Sequence, residues 1–194
     1  MIVFVPIVEG HGEVQAVPNL IYRIAQAEHP EVHVLVNPPI RIKASSFLQD
    51  SGYFARHIAL AAEKAAQSRG CVLILLDCED DCPAEVGPDL LQRAHALRSD
   101  VSFIVCLAYR EYETWFLTSI RSLRGKFGLS CDLEPPKNPE GIRGAKEWLS
   151  KHMSDSYDPI AHQLDLTRNF DLKEAQANRS FQRLVHQIRK IIAT

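Results

Sequence analysis

The chain has 194 residues, 46% hydrophobic and 24% charged, with a formal net charge of -2. That mixture excludes a disordered chain, allows a core of its own, and lacks the basic balance of a simple nucleic-acid-binding module, although metal ions can supply positive charge locally. Five cysteines with no signal-peptide pattern ahead of them fit a reducing cytoplasm, and no apolar run reaches the roughly 20 residues of a membrane span.

Ile2 to Val8 is a continuous apolar run closed by Glu9-Gly10, the pattern of a buried parallel strand. Val14 to Ala27 has helical spacing, with Val14, Val17, Leu20, Ile21 and Ile24 on one face. A short strand at Val32 to Val36 ends at Asn37-Pro38-Pro39, and an Ala-rich helix from Gly52 to Arg69 stops at Gly70. Cys71 to Leu76 is the third strand and runs straight into Asp77-Cys78-Glu79-Asp80-Asp81. A helix from Pro83 to Arg98, interrupted near Gly87-Pro88, leads to a fourth strand at Val101 to Ala108 and an amphipathic helix from Glu111 to Leu123. This alternation predicts an α/β fold: an open, mainly parallel four-stranded sheet with helices on both faces.

Residues 125–144 are rich in proline and glycine and read as a surface loop. Helical patterns follow at Ala145 to Met153, Pro159 to Thr167, Leu172 to Ala177 and Phe181 to Ile192. The organisation expected is an α/β core over 1–124 and a loop and helical extension over 125–194, packed together as one unit. Trp115, Trp148 and Phe181 sit at core spacing.

Open parallel sheets carry their sites beyond the carboxyl ends of the strands. Glu9 follows the first strand, Asp77 and Glu79 the third, and Glu111 and Glu113 the fourth. Two carboxylates about 4 Å apart repel by roughly 4 kcal/mol at an effective dielectric of 20. A cluster of them calls for a counter-ion, and Mg²⁺ or Mn²⁺, which prefer oxygen ligands, fit that need. On extended chain Asp77 and Glu79 share a side. Gly10 and Gly12 allow a sharp turn and a close approach of backbone to phosphate. Glu13 reads either as a ligand or as a helix-start residue, Asp80 and Asp81 as caps of the helix from Pro83, and one of Glu111 and Glu113 as a helix start with the other turned inward. The glycine turn is not a P-loop, and Cys78-x3-Cys82 does not have zinc spacing.

Val8-Glu9-Gly10-x-x-Glu13 after an apolar strand resembles the Val-Glu-Gly-x-x-Glu signature of the Toprim fold, and Asp77-Cys78-Glu79 resembles its Asp-x-Asp motif. Leu76 to Cys82, Ala108 to Leu117 and Asn178-Arg179-Ser180-Phe181 are similar to a family of small stand-alone Toprim-like proteins of unknown function, often encoded beside an AAA/ABC-type ATPase. The resemblance to OLD-type nucleases implies that Glu9, Glu13, Asp77 and Glu79 are catalytic metal ligands, with Glu113 a further member. Here Glu79, a longer side chain, replaces the second acid of the Asp-x-Asp motif.

The function so implied is Mg²⁺- or Mn²⁺-dependent phosphodiester cleavage on a nucleic-acid substrate, as effector of an ATPase-linked defence or repair system, with a homo-oligomer left open. Two alternatives are a non-catalytic Toprim-fold subunit serving the ATPase and a primase or nucleotidyl transferase. Substrate grip falls to Arg110, Arg124, Lys126, Arg179 and Arg183, for which a solvated helix face is the competing explanation.

Overall fold

The computed structural model describes residues 1–193, so the last residue of the expected 125–194 extension lies outside them. Strand β1 (Ile2–Val8) is buried along its whole length and leads into helix α1 (Glu13–Glu28). Strands β2 (Val34–Val36) and β3 (Ile40–Arg41) follow, then helices α2 (Ala44–Gln49) and α3 (Ser51–Ala66). Next come β4 (Gly70–Asp77), α4 (Pro83–Leu97), β5 (Ser102–Ala108) and α5 (Thr114–Thr118). The remainder is helical: α6 (Ala145–His152), α7 (Pro159–Asn169), α8 (Leu172–Ala175) and α9 (Arg179–Ala193).

All strand pairs are parallel, in the order β2-β1-β4-β5, with β3 also beside β1. The sheet therefore has a fifth, two-residue strand beyond the four expected. β2 pairs with Ile2 to Phe4, and β3 with Ile7 and Val8. They are two pieces of one edge, separated where Pro38 and Pro39 have no N–H to give the ladder.

Successive residues of β1, β4 and β5 feed opposite cores. Phe4, Leu73, Leu75, Ile104 and Cys106 pack with α1, α5, α7 and α9, while Val5, Val72, Ile74, Val105 and Leu107 pack with α2, α3 and α4. Both faces of the sheet are covered, which is why its strands read as unbroken apolar runs. Leu149, Leu166, Phe170, Phe181, Leu184 and Ile188 belong to the first of these clusters. The segment beyond 124 thus shares a core with the sheet.

The expected helix from Glu111 to Leu123 is broken into α5 and a 3₁₀ turn, Ile120–Leu123. Hydroxyls cause the break: Thr118 Oγ1 donates to Thr114 O at 2.8 Å, Ser119 Oγ to Trp115 O at 2.8 Å, and Ser122 Oγ to Ser119 O at 2.6 Å. Side-chain donors that share carbonyls with the backbone ladder weaken and bend a helix. The helix at Pro83 runs through Gly87-Pro88 without interruption. No described helix is long and apolar enough to cross a membrane.

Gly12 owes its identity to packing. A Cβ there would lie 2.3 Å from Gln163 Oε1 and 2.4 Å from Pro159 O, so the missing side chain lets the start of α1 touch α7. Gly12→Ala is expected to lose about 1–3 kcal/mol in a urea-unfolding measurement through overpacking. A variant as stable as the parent would show that the two helices are not tightly packed there.

Candidate active site at the carboxyl edge of the sheet

The order of the strands reverses between β1 and β4, where an open α/β sheet leaves a crevice. The β1–α1 turn brings Glu13 to this crevice, the end of β4 brings Asp77, and the turn after β5 brings Glu111 and Glu113. Helix α6 crosses above and lowers Lys146 among them. Its Nζ lies 3.4 Å from Asp77 Oδ2, 3.6 Å from Glu113 Oε2 and 3.9 Å from Glu111 Oε1.

Each of the three innermost carboxylates has one oxygen tied to the protein. Asp77 Oδ1 accepts from the Tyr112 N–H at 2.8 Å. Glu113 Oε1 accepts from the Tyr157 hydroxyl at 2.8 Å and from Gln163 Nε2 at 3.3 Å. Glu13 Oε2 accepts from the Glu9 and Gly10 N–H groups at 3.0 and 3.1 Å. The second oxygens of Asp77 and Glu113 turn toward Lys146, and Glu113 Oε2 is buried with no hydrogen-bond partner among the described residues.

Burial sets the electrostatics. It pushes Glu13 up to about 7, against the Gly10 N–H and helped by the charge of Glu113. Asp77 is held well above the usual carboxylate range by burial, then by the charges of Glu13 and Glu113. Glu113, wholly buried, is raised by desolvation, which Lys146 and the Tyr157 hydrogen bond oppose. Burial acts to lower the Lys146 ammonium, but Glu113, Asp77 and Glu111 more than reverse this and hold it well above its ordinary value. The site carries more negative charge than one ammonium can balance.

Other expected residues are placed differently. Glu9 stands at the rim, half-buried, and its carboxylate has no partner among the described residues. Asp77 and Glu79 do not share a side, because β4 ends at Asp77 and Glu79 takes a left-handed φ of 46° that leaves it exposed. Asp80 and Asp81 do not cap α4; Cys82 holds that position without a side-chain bond, and Asp80 pairs with Arg110 and Arg143. The Gly10 turn is occupied by the Glu13 carboxylate rather than shaped around an external phosphate. Arg124 holds Glu134 and the Leu133 carbonyl, and Lys126 donates to Ser122 O. Arg179 pairs with Glu140 at 2.9 Å, and with Arg183 it lines a cavity of about 430 Å³ beside β5 and α4.

Sequence reasoning missed Lys146, Tyr157 and Gln163. Nothing in a helical pattern marks one lysine among several, and the tyrosine and glutamine matter only because α7 packs on α1.

An all-oxygen carboxylate set with one orphaned buried oxygen suits a hard divalent cation in kind. Glu13, Asp77 and Glu113 are the residues that fit such an ion. Among the described residues no three side chains are already arranged as metal ligands; Lys146 stands between the free oxygens of Asp77 and Glu113.

The family model described as "Domain of unknown function (DUF4276)" matches residues 8–189, and the chain belongs to that family. Neither the curated proteins nor the solved structures contain a match to it.

The raised carboxyl groups bind protons in the folded state that they release on unfolding. Folded stability is therefore expected to fall as pH rises from about 4.5 through about 7, by about 1.4 kcal/mol per pH unit for each proton retained. Urea unfolding in chelator at pH 5 and pH 8 measures this, and Glu13→Gln flattens the slope. Lys146→Met is expected to destabilise the protein by roughly 1–3 kcal/mol at neutral pH, a buried-pair loss discounted because the lysine is partly exposed. An unchanged stability would remove Lys146 from the charge balance.

Proposed function

We propose that this chain is a metal-dependent phosphodiesterase acting on nucleic acid, a Toprim-type nuclease in which Glu13, Asp77 and Glu113 hold Mg²⁺ or Mn²⁺. The observation that carries the reading is the shared arrangement of the carboxylates, each with one oxygen anchored by the protein. Such anchoring fixes first ligands through their second partners. A bound divalent cation polarises a phosphoryl oxygen and lowers the pKa of an attacking water.

The protein's own groups do the rest. Tyr157 and Gln163 hold Glu113 Oε1 so that Oε2 stays turned toward Lys146. The Tyr112 N–H does the same for Asp77, leaving Oδ2 presented. Lys146 sits on α6 with its side chain about one-third exposed, so it can move outward toward an incoming anion while α6 stays packed through Ala145 and Leu149.

Lys146 also motivates a second reading. An ammonium that neutralises the carboxylates internally suits a subunit that keeps the fold without catalysis and serves an ATPase partner. Metal dependence separates the two.

Plasmid and single-stranded oligonucleotide are incubated with the protein and millimolar Mg²⁺ or Mn²⁺, with and without an ATPase encoded beside it. Cleavage is expected, reduced at least roughly 100-fold by Asp77→Asn or Glu113→Gln. Cleavage at the parent rate by Glu113→Gln would exclude this site.

A further inference from the structure

Next to the carboxylate cluster lies a cavity of about 220 Å³, lined by Glu79, Asp80, Arg110, Glu111, Arg143 and Gly144. Two guanidinium groups from distant parts of the chain converge there on a single atom. Arg110 Nη1 and Arg143 Nη2 each lie 2.9 Å from Oδ1 of Asp80. One carboxylate oxygen underuses two planar forks built to meet oxyanions bidentately. Arg110 Nε is moreover buried with no hydrogen-bond partner among the described residues.

The backbone beneath is held in place at some expense. Arg110 and Glu79 both adopt left-handed φ, 65° and 46°, and the Glu79 N–H donates to Arg110 O at 2.9 Å. Non-glycine residues in that region store backbone strain, and such strain concentrates at functional sites. Asp80 is two-thirds exposed and would be fully solvated without the arginines. The remaining charge on the walls is small: Glu111 accepts from the Lys146 N–H and lies 3.9 Å from its ammonium. With Asp80 swung out, the two guanidiniums face Glu79 and Glu111, the latter shared with Lys146.

We propose that Arg110 and Arg143 form a clamp for a phosphodiester group, closed in the free protein by Asp80 as an intramolecular stand-in for the phosphate. The two non-bridging oxygens of a phosphodiester give each fork an oxygen of its own, which one carboxylate oxygen does not. Glu111 links the clamp to the carboxylate cluster, so a phosphate held here is adjacent to the group that would be cut. The inference rests on nucleic acid being the substrate class proposed above.

Binding of a fluorescently labelled single-stranded oligonucleotide, measured by anisotropy in chelator across a salt series, tests the clamp without any cleavage. Asp80→Asn is expected to tighten binding by roughly three- to fivefold, because a competing surface ion pair is removed. Arg143→Gln, at an exposed position, weakens binding by a similar factor and lowers the salt slope by about 0.7, the decrement for one phosphate no longer neutralised. Arg110→Gln does the same if it folds, which circular dichroism reports. Asp80→Asn binding no better than the parent, or Arg143→Gln with an unchanged salt slope, overturns the clamp. Inorganic phosphate that raises the Tm of the parent but not of Arg143→Gln, with oligonucleotide binding equal in all variants, also overturns it in favour of a free-phosphate site. If these binding shifts appear while Glu113→Gln cleaves normally, the clamp stands and the cleavage site falls. The opposite pattern leaves the cleavage site standing without the clamp.

Discussion

Two buried carboxylates, Glu13 and Glu113, and the largely buried Asp77 share a crevice with one ammonium group, and much of the molecule is arranged around that imbalance. Carboxylates withdrawn from water and placed within reach of one another hold protons or demand a cation. Here Lys146 supplies part of the answer and raised proton affinity the rest. Hydrophobic packing alone gives no reason to place Glu113, with no exposed surface, beside Asp77 and Glu13. The proposal that the site gains from a cation rests on this arrangement, in which each carboxylate has one oxygen anchored by the protein.

The fold delivers this crevice by topology. Because β4 returns to the inner side of β1, the first turn of the chain and the acidic turn after β4 open on one edge. The later helices then close it from above. α6 brings Lys146, the stretch before α7 brings Tyr157, and α7 brings Gln163, each meeting a carboxylate from the sheet. The glycine at position 12 permits that last contact by giving α7 room against the start of α1. Residues beyond 124 therefore complete the site as well as the core.

The strands β1, β4 and β5 were legible in the sequence, because a strand buried on both faces is an apolar run that ends abruptly in charge. Asp77 was legible for the same reason, as an acid where such a run stops; Glu13 and Glu113 lie a few residues further on, where a ligand and a helix-start residue look alike. Less could be read where the signal was not periodic. β3 is two residues long behind two prolines, and the helix after β5 fails through serine and threonine hydroxyls that a hydrophobic pattern does not register. Glu79 looked like a partner of Asp77 because alternate residues of a strand share a side; the strand ends at Asp77, two residues before it. Lys146, Tyr157 and Gln163 depend on how α6 and α7 dock, and no local pattern carries that information.

The most direct measurement is a calorimetric titration of the metal-free protein with Mn²⁺ near neutral pH, in two buffers of different ionisation enthalpy. The account predicts binding accompanied by proton release, as the cation displaces protons that burial keeps on the carboxylates, with both signals lost in Glu113→Gln. No heat of binding at millimolar Mn²⁺, or binding that leaves protons in place and survives Glu113→Gln, would contradict it.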